Sequence, residues 1–250
     1  MKVLVACEES QAVCNAFRDR GHEAYSCDIQ ECSGGHPEWH IRWDALALIN
    51  GGCSFVTMDG ALHRIEGRWD MIIAFPPCTH LSVSGARHFE KKRGDGSQRW
   101  AVEFFCTIWQ ADCARVVIEN PVNIISGRYV EKWFPDLAKK YKLPIKPTQI
   151  VHPWWFGDEL SKSTCLWERG VSPLVKTNEV GKGEFIETGK NKKRYASWLA
   201  WAKDASGKTI AWNDPRTALI RSKTQPGIAH AMAEQWGCDI YPSTEQLTLF

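Results

Sequence analysis

Short apolar runs alternate with segments of helical spacing along the first two thirds of the chain. Most of these runs are rich in Val, Ile and Leu and end at polar or turn-forming residues, as buried strands do. They predict strands at residues 2–6 (KVLVA), 22–27 (HEAYSC), 39–43 (WHIRW), 70–74 (DMIIA) and 115–118 (RVVI), with later strands at 148–151 and 164–167.

The segments between these runs place apolar side chains on one helical face. Residues 10–20 carry Val13, Ala16 and Phe17 at that spacing, with Ser10 as the expected N-cap. Further helices are predicted at 97–112 and 228–236. The alternation favours an α/β fold with a mostly parallel sheet and helices on both faces.

The carboxyl ends of parallel strands meet at one edge of the sheet, where α/β proteins bind their ligands. Asp28, Asp44, Cys78 and Glu119 each follow a predicted strand. We therefore expect these side chains to gather along that edge.

Composition limits the class of protein. A chain of 250 residues, 44% of them hydrophobic, can bury an ordinary core, and a net charge of +2 gives no global commitment to nucleic acid. The ten cysteines contain no C-x-x-C pair of the kind that binds zinc, so reduced thiols and no metal are expected. The N-terminal apolar segment is too short for a secretion signal, and no window reaches the roughly 18 apolar residues of a membrane span. We expect a soluble, cytoplasmic protein.

Positive charge is concentrated late in the chain. Between residues 176 and 223, 11 basic residues face 5 acidic ones, a net charge of +6. The run KNKKR at 190–194 precedes Tyr195, Trp198 and Trp201, which combines phosphate-binding charge with rings that stack on bases. The alternative is a solvated basic hairpin whose rings fill its own core.

The run MIIAFPPCTHLS at 71–82 fixes the backbone twice just before a cysteine. Proline locks φ and restricts the residue before it, so Cys78 is held at a defined place on the sheet edge. A thiol is the best side-chain nucleophile near neutral pH where its surroundings favour the thiolate. The alternative is a small buried hydrophobe, as free cysteines usually are.

Glu119 follows a strand that should neighbour the Cys78 strand, where its carboxyl group can face the same pocket. A pyrimidine offers a use for the pair, because a thiolate adding to C6 needs charge relief at N3 that a carboxylic acid supplies. The alternative for Glu119 is an acid at a helix N-terminus, favoured by the helix dipole.

Two motifs in this order resemble the DNA cytosine C5-methyltransferases, most closely their short, phage-type members. The segment from Phe75 to Ser82 is similar to the family's Pro-Cys motif with its downstream serine, and Glu119-Asn120-Pro121 is similar to its Glu-Asn-Val motif. The resemblance spans nearly the whole chain. It implies a Rossmann-like S-adenosylmethionine-dependent methyltransferase fold at 1–170 plus 216–250, with a small basic insert at 171–215 for target recognition. It also implies a circularised sheet, one to which both ends of the chain contribute.

The resemblance also implies residue roles, with DNA, duplex or single-stranded, as the partner and S-adenosylmethionine as the cofactor. Cys78 would add to C6 of a flipped cytosine, and Glu119 would be the acid at N3. The implied substrate-binding residues are Pro77, His80, Ser82, Asn120, Lys162, Thr164, Lys192, Lys193 and Arg194. The implied cofactor-binding residues are Cys7, Glu8, Ser10, Asp28 (ribose hydroxyls), Asp44 (adenine), Pro76 and Thr224.

The chain departs from the family in two motifs. The family's Phe-x-Gly-x-Gly loop after the first strand is replaced by ACEES, without the glycines that permit close approach to the cofactor. Its Gln-x-Arg-x-Arg motif is also absent, and Lys162 or Thr164 would take an arginine's part, unless Lys162 lies on a solvated turn. The run TQPGIA at 224–229 resembles the family's final motif, which closes the cofactor pocket.

These departures leave other functions open. One is a catalytically altered or inactive nucleic-acid-binding relative, and another is C5 modification with a modified cofactor or on a nucleotide. A cysteine hydrolase pairing Cys78 with His80 has no identifiable orienting acid and gives no use for the Glu-Asn-Pro motif. An N-methyltransferase would place an aromatic residue where Cys78 stands.

Overall fold

The computed structural model describes residues 1–188, 193–196, 203, 206–210 and 214–238. Its strands are β1 (Lys2–Ala6), β2 (Glu23–Asp28), β3 (His40–Arg42), β4 (Ser54–Val56), β5 (Leu62–Arg64), β6 (Met71–Ala74), β7 (Val116–Asn120), β8 (Gln149–Val151), β9 (Thr164–Arg169), β10 (Phe185–Thr188) and β11 (Lys193–Ala196). Its α-helices are α1 (Ala12–Asp19), α2 (Phe89–Gly94), α3 (Ser97–Trp109), α4 (Tyr129–Trp133), α5 (Pro135–Tyr141), α6 (Pro215–Ser222) and α7 (Pro226–Gly237).

A seven-stranded sheet with the order β3-β2-β1-β6-β7-β9-β8 organises the molecule. β1 pairs in parallel with β2 and β6, and the β2–β3 and β6–β7 pairs are also parallel. β9 is antiparallel to both β7 and β8. The strand order reverses between β1 and β6, so the carboxyl ends of β1, β6 and β7 and the start of β9 meet at one edge. The predicted α/β, Rossmann-like architecture is confirmed.

Alternate side chains of the central strands enter two apolar cores, one on each face of the sheet. Val3 and Val5 of β1 pack with α1 and α7, whereas Leu4 and Ala6 pack with α3, α4 and α5. Burial on both faces explains why these strands read as continuous apolar runs.

The C-terminal part of the chain contributes a helix to the main body. Helix α7 packs against α1, and the fully buried Trp236 donates from Nε1 to the Ser172 carbonyl at 2.8 Å. Within the described residues no strand after β9 joins the main sheet. The expected circularisation of the sheet is therefore wrong for these residues, and α7 packs against α1 instead.

The predicted insert at 171–215 contains an antiparallel hairpin of β10 and β11. Lys193 and Arg194 lie on β11, whereas Lys192, Trp198 and Trp201 lie outside the described residues.

Candidate active site

A cleft of about 550 Å³ opens at the carboxyl edge of the sheet, over the switch point between β1 and β6. The loops after β1, β2, β6 and β7, the start of β9 and the segment before α7 form its walls. Of the residues expected to bind or to react, it is lined by Cys7, Glu8, Ser10, Asp28, Pro76, Pro77, Cys78, Glu119, Asn120, Lys162, Thr164 and Thr224.

Cys78 begins a single turn of 3-10 helix, Cys78–His80, directly after the extended Pro77 (φ −53°, ψ 121°). The N–H groups of Leu81 and Ser82 donate to the Cys78 carbonyl at 3.0 and 2.9 Å and close the turn. Cys78 is exposed and lines the cleft, so the alternative of a buried core cysteine does not hold.

Asn120 fixes the proline loop against the end of β7. Its side-chain amide donates to the Pro76 carbonyl at 2.8 Å, and its Oδ1 accepts from Nδ2 of Asn123 at 3.0 Å. Asn120 is 1% exposed, so water does not compete for these bonds. The Cys78 loop is thereby held relative to Glu119, the neighbour of Asn120 in β7.

Glu119 lies half-buried near the end of β7. The Thr164 hydroxyl donates to its Oε1, and the Lys162 ammonium is anchored nearby by the Arg221 and Lys223 carbonyls at 2.9 and 3.4 Å. Burial raises the pKa of Glu119, while the charge of Lys162 and the bond from Thr164 oppose the rise. The site therefore favours the carboxylic acid more than water would.

The electrostatics of Cys78 and Glu119 are coupled. Although Cys78 is exposed, the cleft walls remove part of the water around its thiol, which raises its pKa; the negative charge of Glu119 raises it further, whereas Lys162 and Lys92 lower it. Protonation of Glu119 removes this repulsion. The thiolate of Cys78 is thus favoured when Glu119 carries the proton.

The loop after β1 makes its bends without glycine. Cys7 and Gln11 have positive φ angles of 60° and 58°, which few non-glycine residues adopt. Gln11 is fully buried, and its side-chain amide bonds the His36 carbonyl at 2.8 Å and the His36 N–H at 3.0 Å. Buried hydrogen bonds thus stabilise a loop conformation for which the family uses glycines.

Glu8 accepts hydrogen bonds from the free backbone N–H groups at the N-terminus of α1. Its carboxylate oxygens accept from the N–H groups of Val13 and Cys14 at 2.7 and 3.2 Å. Gln11 occupies the N-cap position without a side-chain cap bond, so the expectation that Ser10 caps this helix is wrong. Burial raises the pKa of Glu8 to about 8 despite these bonds.

At the end of the cleft near Asp28, a hydrogen bond joins the loop after β2 to the segment before α7. Asp28, at the end of β2, accepts from the Gln30 N–H at 2.9 Å. The Lys223 ammonium reaches the Ser33 hydroxyl at 2.8 Å, joining the segment that carries Thr224 to the loop after β2. The cleft as a whole, about 550 Å³, has the size of ordinary small-molecule sites.

Asp44, His80 and Ser82 were expected in the site but do not line the cleft. The Asp44 carboxylate caps the following 3-10 turn, and the Ser82 hydroxyl bonds that of Ser84 at 2.8 Å. The His80 carbonyl accepts from Gln98 Nε2 at 3.2 Å, and its buried Nδ1 has no hydrogen-bond partner within the described chain. The side chains of Asp44 and Ser82 are thus committed to neighbouring turns.

The structure adds residues that sequence patterns did not single out. Gln30, Phe75 and Arg221 also line the cleft. Phe75 and Gln30 lie one and two residues from expected site residues, a proximity that would have been a usable signal. Nothing in the sequence marks Arg221, because only the folding of α6 brings it to this edge.

No cluster of three or more potential metal ligands occurs in the part of the chain that the structure describes. Across the same residues, no helix has both the length and the apolar character that a membrane crossing requires. All ten cysteines are free.

Comparisons with known proteins give little further help. No family model matches the sequence, and no curated protein matches it. Among solved structures, the chain is similar to a candidate DNA modification methyltransferase encoded within a prophage (E. coli), with 12% identity and a TM-score of 0.39. The match covers 67% of this chain and 46% of that one, so this chain spans less than half of that protein's length. A likeness this weak leaves the chemistry to be argued from the cleft.

Proposed function

We propose that this chain is a DNA methyltransferase that transfers a methyl group from S-adenosylmethionine to C5 of cytosine through a covalent bond between Cys78 and C6. One observation carries the proposal: Cys78 and Glu119, from the ends of the adjacent parallel strands β6 and β7, share a cleft with Asp28 from β2. A nucleophile, an acid and a candidate ribose ligand thus lie around one space.

The pair supplies the chemistry that addition to a pyrimidine requires. The Cys78 thiolate forms a bond to C6, and Glu119 gives its proton to N3, which neutralises the charge that the addition puts on the ring. C5 would then be the carbon nucleophile and would take the methyl group, as the methyl–sulfur bond breaks and its electron pair stays on a neutral thioether. Loss of the C5 proton to water, return of the N3 proton to Glu119 and expulsion of the Cys78 thiolate restore the aromatic ring.

S-adenosylmethionine, when bound, supplies an electrophilic methyl group on a positively charged sulfur. The residues that would hold it are the loop from Cys7 to Ser10, Asp28, Pro76 and Thr224, all on the cleft wall. Asp28 on this wall offers a carboxylate that can accept hydrogen bonds from ribose hydroxyls. Asn120 orients Cys78 through the Pro76 carbonyl.

The same proposal assigns target recognition to the insert at 171–215 and the reaction to the remainder of the chain. The insert carries 8 basic and 5 acidic residues, a net charge of +3, which supports contact with DNA phosphates. The free cysteines suit a reducing compartment such as the cytoplasm.

The direct test of the reaction is product analysis. The protein is incubated with methyl-labelled S-adenosylmethionine and either duplex or single-stranded DNA, and the DNA is then digested to nucleosides. We expect label in 5-methyldeoxycytidine for the wild type and for Cys106→Ser, whose thiol is buried in the core, and none for Cys78→Ser. Label on the exocyclic N4, or equal transfer by Cys78→Ser, contradicts the proposal.

A further inference from the structure

We infer that the segment Arg87–Gly94, which follows the Cys78 turn, is the surface on which the DNA phosphates flanking the target base rest. The inference rests on the proposed function and adds a second basic surface to the late-chain insert. Four cations, Arg87, Lys91, Lys92 and Arg93, face one acid, Glu90, in these eight residues, a net charge of +3. The chain as a whole carries only +2, so this is a local concentration.

The basic segment is physically joined to the cleft. The Lys92 ammonium donates to the carbonyl of Thr79, a residue of the Cys78 turn that lines the cleft. The charge of Lys92 also acts on the Cys78 thiol, lowering its pKa. The cations of α2 therefore begin at the rim of the reactive site.

A chain of hydrogen bonds braces the segment against the same turn. Gln98, fully buried, donates to the His80 carbonyl at 3.2 Å and accepts from the Tyr129 hydroxyl at 2.9 Å. Arg93 donates to that hydroxyl at 2.5 Å, and its guanidinium lies 3.9 Å from the ring centroid of Trp133. These contacts fix the backbone of the segment, so the other cations on it project from a rigid element and not from a mobile loop.

Two cations are left facing solvent. Arg87 and Lys91 are exposed and stand four residues apart across the junction of the 3-10 helix and α2, which places them on one side of the segment. A nucleotide whose base enters the cleft beside Thr79 keeps its backbone outside, next to these side chains. A polyanionic strand is the partner that suits both the cleft and the cations.

The test measures DNA affinity against salt by fluorescence anisotropy, with a labelled cytosine-containing duplex and the matching single strand. The variant is Arg87→Ala with Lys91→Ala. Losing two phosphate contacts should make the slope of log association constant against log salt concentration less negative by about 1.8 for duplex DNA. The variant should therefore lose roughly tenfold more affinity, relative to the wild type, at 50 mM salt than at 200 mM salt. Arg20→Ala is the control, because Arg20 follows α1 at the opposite edge of the sheet and is also exposed.

An unchanged slope in the double variant, or an equal change in Arg20→Ala, overturns the inference. The charge-keeping variant Arg87→Lys with Lys91→Arg should retain the wild-type slope, which separates lost charge from misfolding. Covalent capture of 5-fluorocytosine DNA by the wild type, measured in parallel, reports on the proposed function. Capture with an unchanged slope in the double variant rejects only the phosphate surface, whereas absent capture rejects the function itself.

Discussion

Cys78 and Glu119 share one proton in the proposed reaction, which needs that proton on the carboxyl group. Partial loss of surrounding water raises the pKa of the exposed Cys78, burial raises that of Glu119, and the negative charge of Glu119 raises the pKa of Cys78 further. Activity should therefore fall as pH drops below the raised pKa of Glu119, where both groups are protonated. It should also fall as pH rises above the raised pKa of Cys78, where both have lost their protons.

Replacement of Glu119 by glutamine tests this assignment. The amide keeps the shape of the side chain but has no acidic proton to give to N3, so we expect kcat/KM to fall by about 10²–10⁴. The fall in activity at low pH should then follow Cys78 and no longer Glu119. The measurement is kcat/KM against pH for the wild type and Glu119→Gln; an unchanged profile contradicts the role of Glu119.

At the residue scale, the sequence predicted which polar side chains follow buried strands and so reach the cleft; their chemical roles stay predictions. Cys78 and Glu119 were found because an apolar run fixes where a strand stops and so where the next polar side chain emerges. Asp44 has the same sequence context, yet its carboxylate caps a 3-10 turn. Local capping competes for such carboxylates, and a sequence does not show which use prevails.

At the scale of elements, the position of α7 decides how the cleft is closed beside Thr224. Gly227 at its start donates to Asp158 Oδ2 at 2.9 Å, and a Cβ at this position would lie 2.1 Å from the Phe156 carbonyl oxygen. The helix therefore approaches the chain before β9 as closely as glycine allows.

Gly227→Ala should push α7 away from this contact. We expect destabilisation of about 1–3 kcal/mol, since the clashing atom is backbone and cannot swing aside, together with weaker S-adenosylmethionine binding through displaced Thr224. Thermal unfolding and calorimetric titration measure the two effects. Gly94→Ala is the matched control, because an added Cβ meets open space at the end of α2, and it should leave both values near those of the wild type. Equal behaviour of the two variants would contradict this close packing.

The ACEES loop shows that a missing sequence motif does not exclude the backbone conformation that the motif usually gives. The missing glycines predicted a loop unfit for close approach, but Cys7 and Gln11 adopt positive φ angles, with Gln11 held by bonds to His36. His36 is distant in sequence, so the support for the loop became visible only in three dimensions. The short strands β4 and β5 and the short helices α2 and α4 were missed because so few residues show no periodicity.

At the scale of the whole molecule, the buried parallel strands made the fold predictable. Strands covered on both faces give continuous apolar runs, and β1, β2, β6 and β7 all appeared within one or two residues of their predicted bounds. The contact between α7 and α1 was not predictable in the same way. Packing of α7 against α1 depends on shape across more than 200 residues of sequence, which local patterns do not encode.

The central claim is that Cys78 becomes covalently bonded to cytosine C6 in the presence of S-adenosylmethionine. DNA containing 5-fluorocytosine traps this bond, because fluorine at C5 cannot leave as the proton does and the final elimination is blocked. Intact mass and peptide mapping after incubation should find the protein joined to methylated DNA through Cys78, with no adduct for Cys78→Ser. If the protein binds S-adenosylmethionine yet forms no adduct on duplex, single-stranded or nucleotide substrates, or if the adduct maps to another residue, the claim is contradicted.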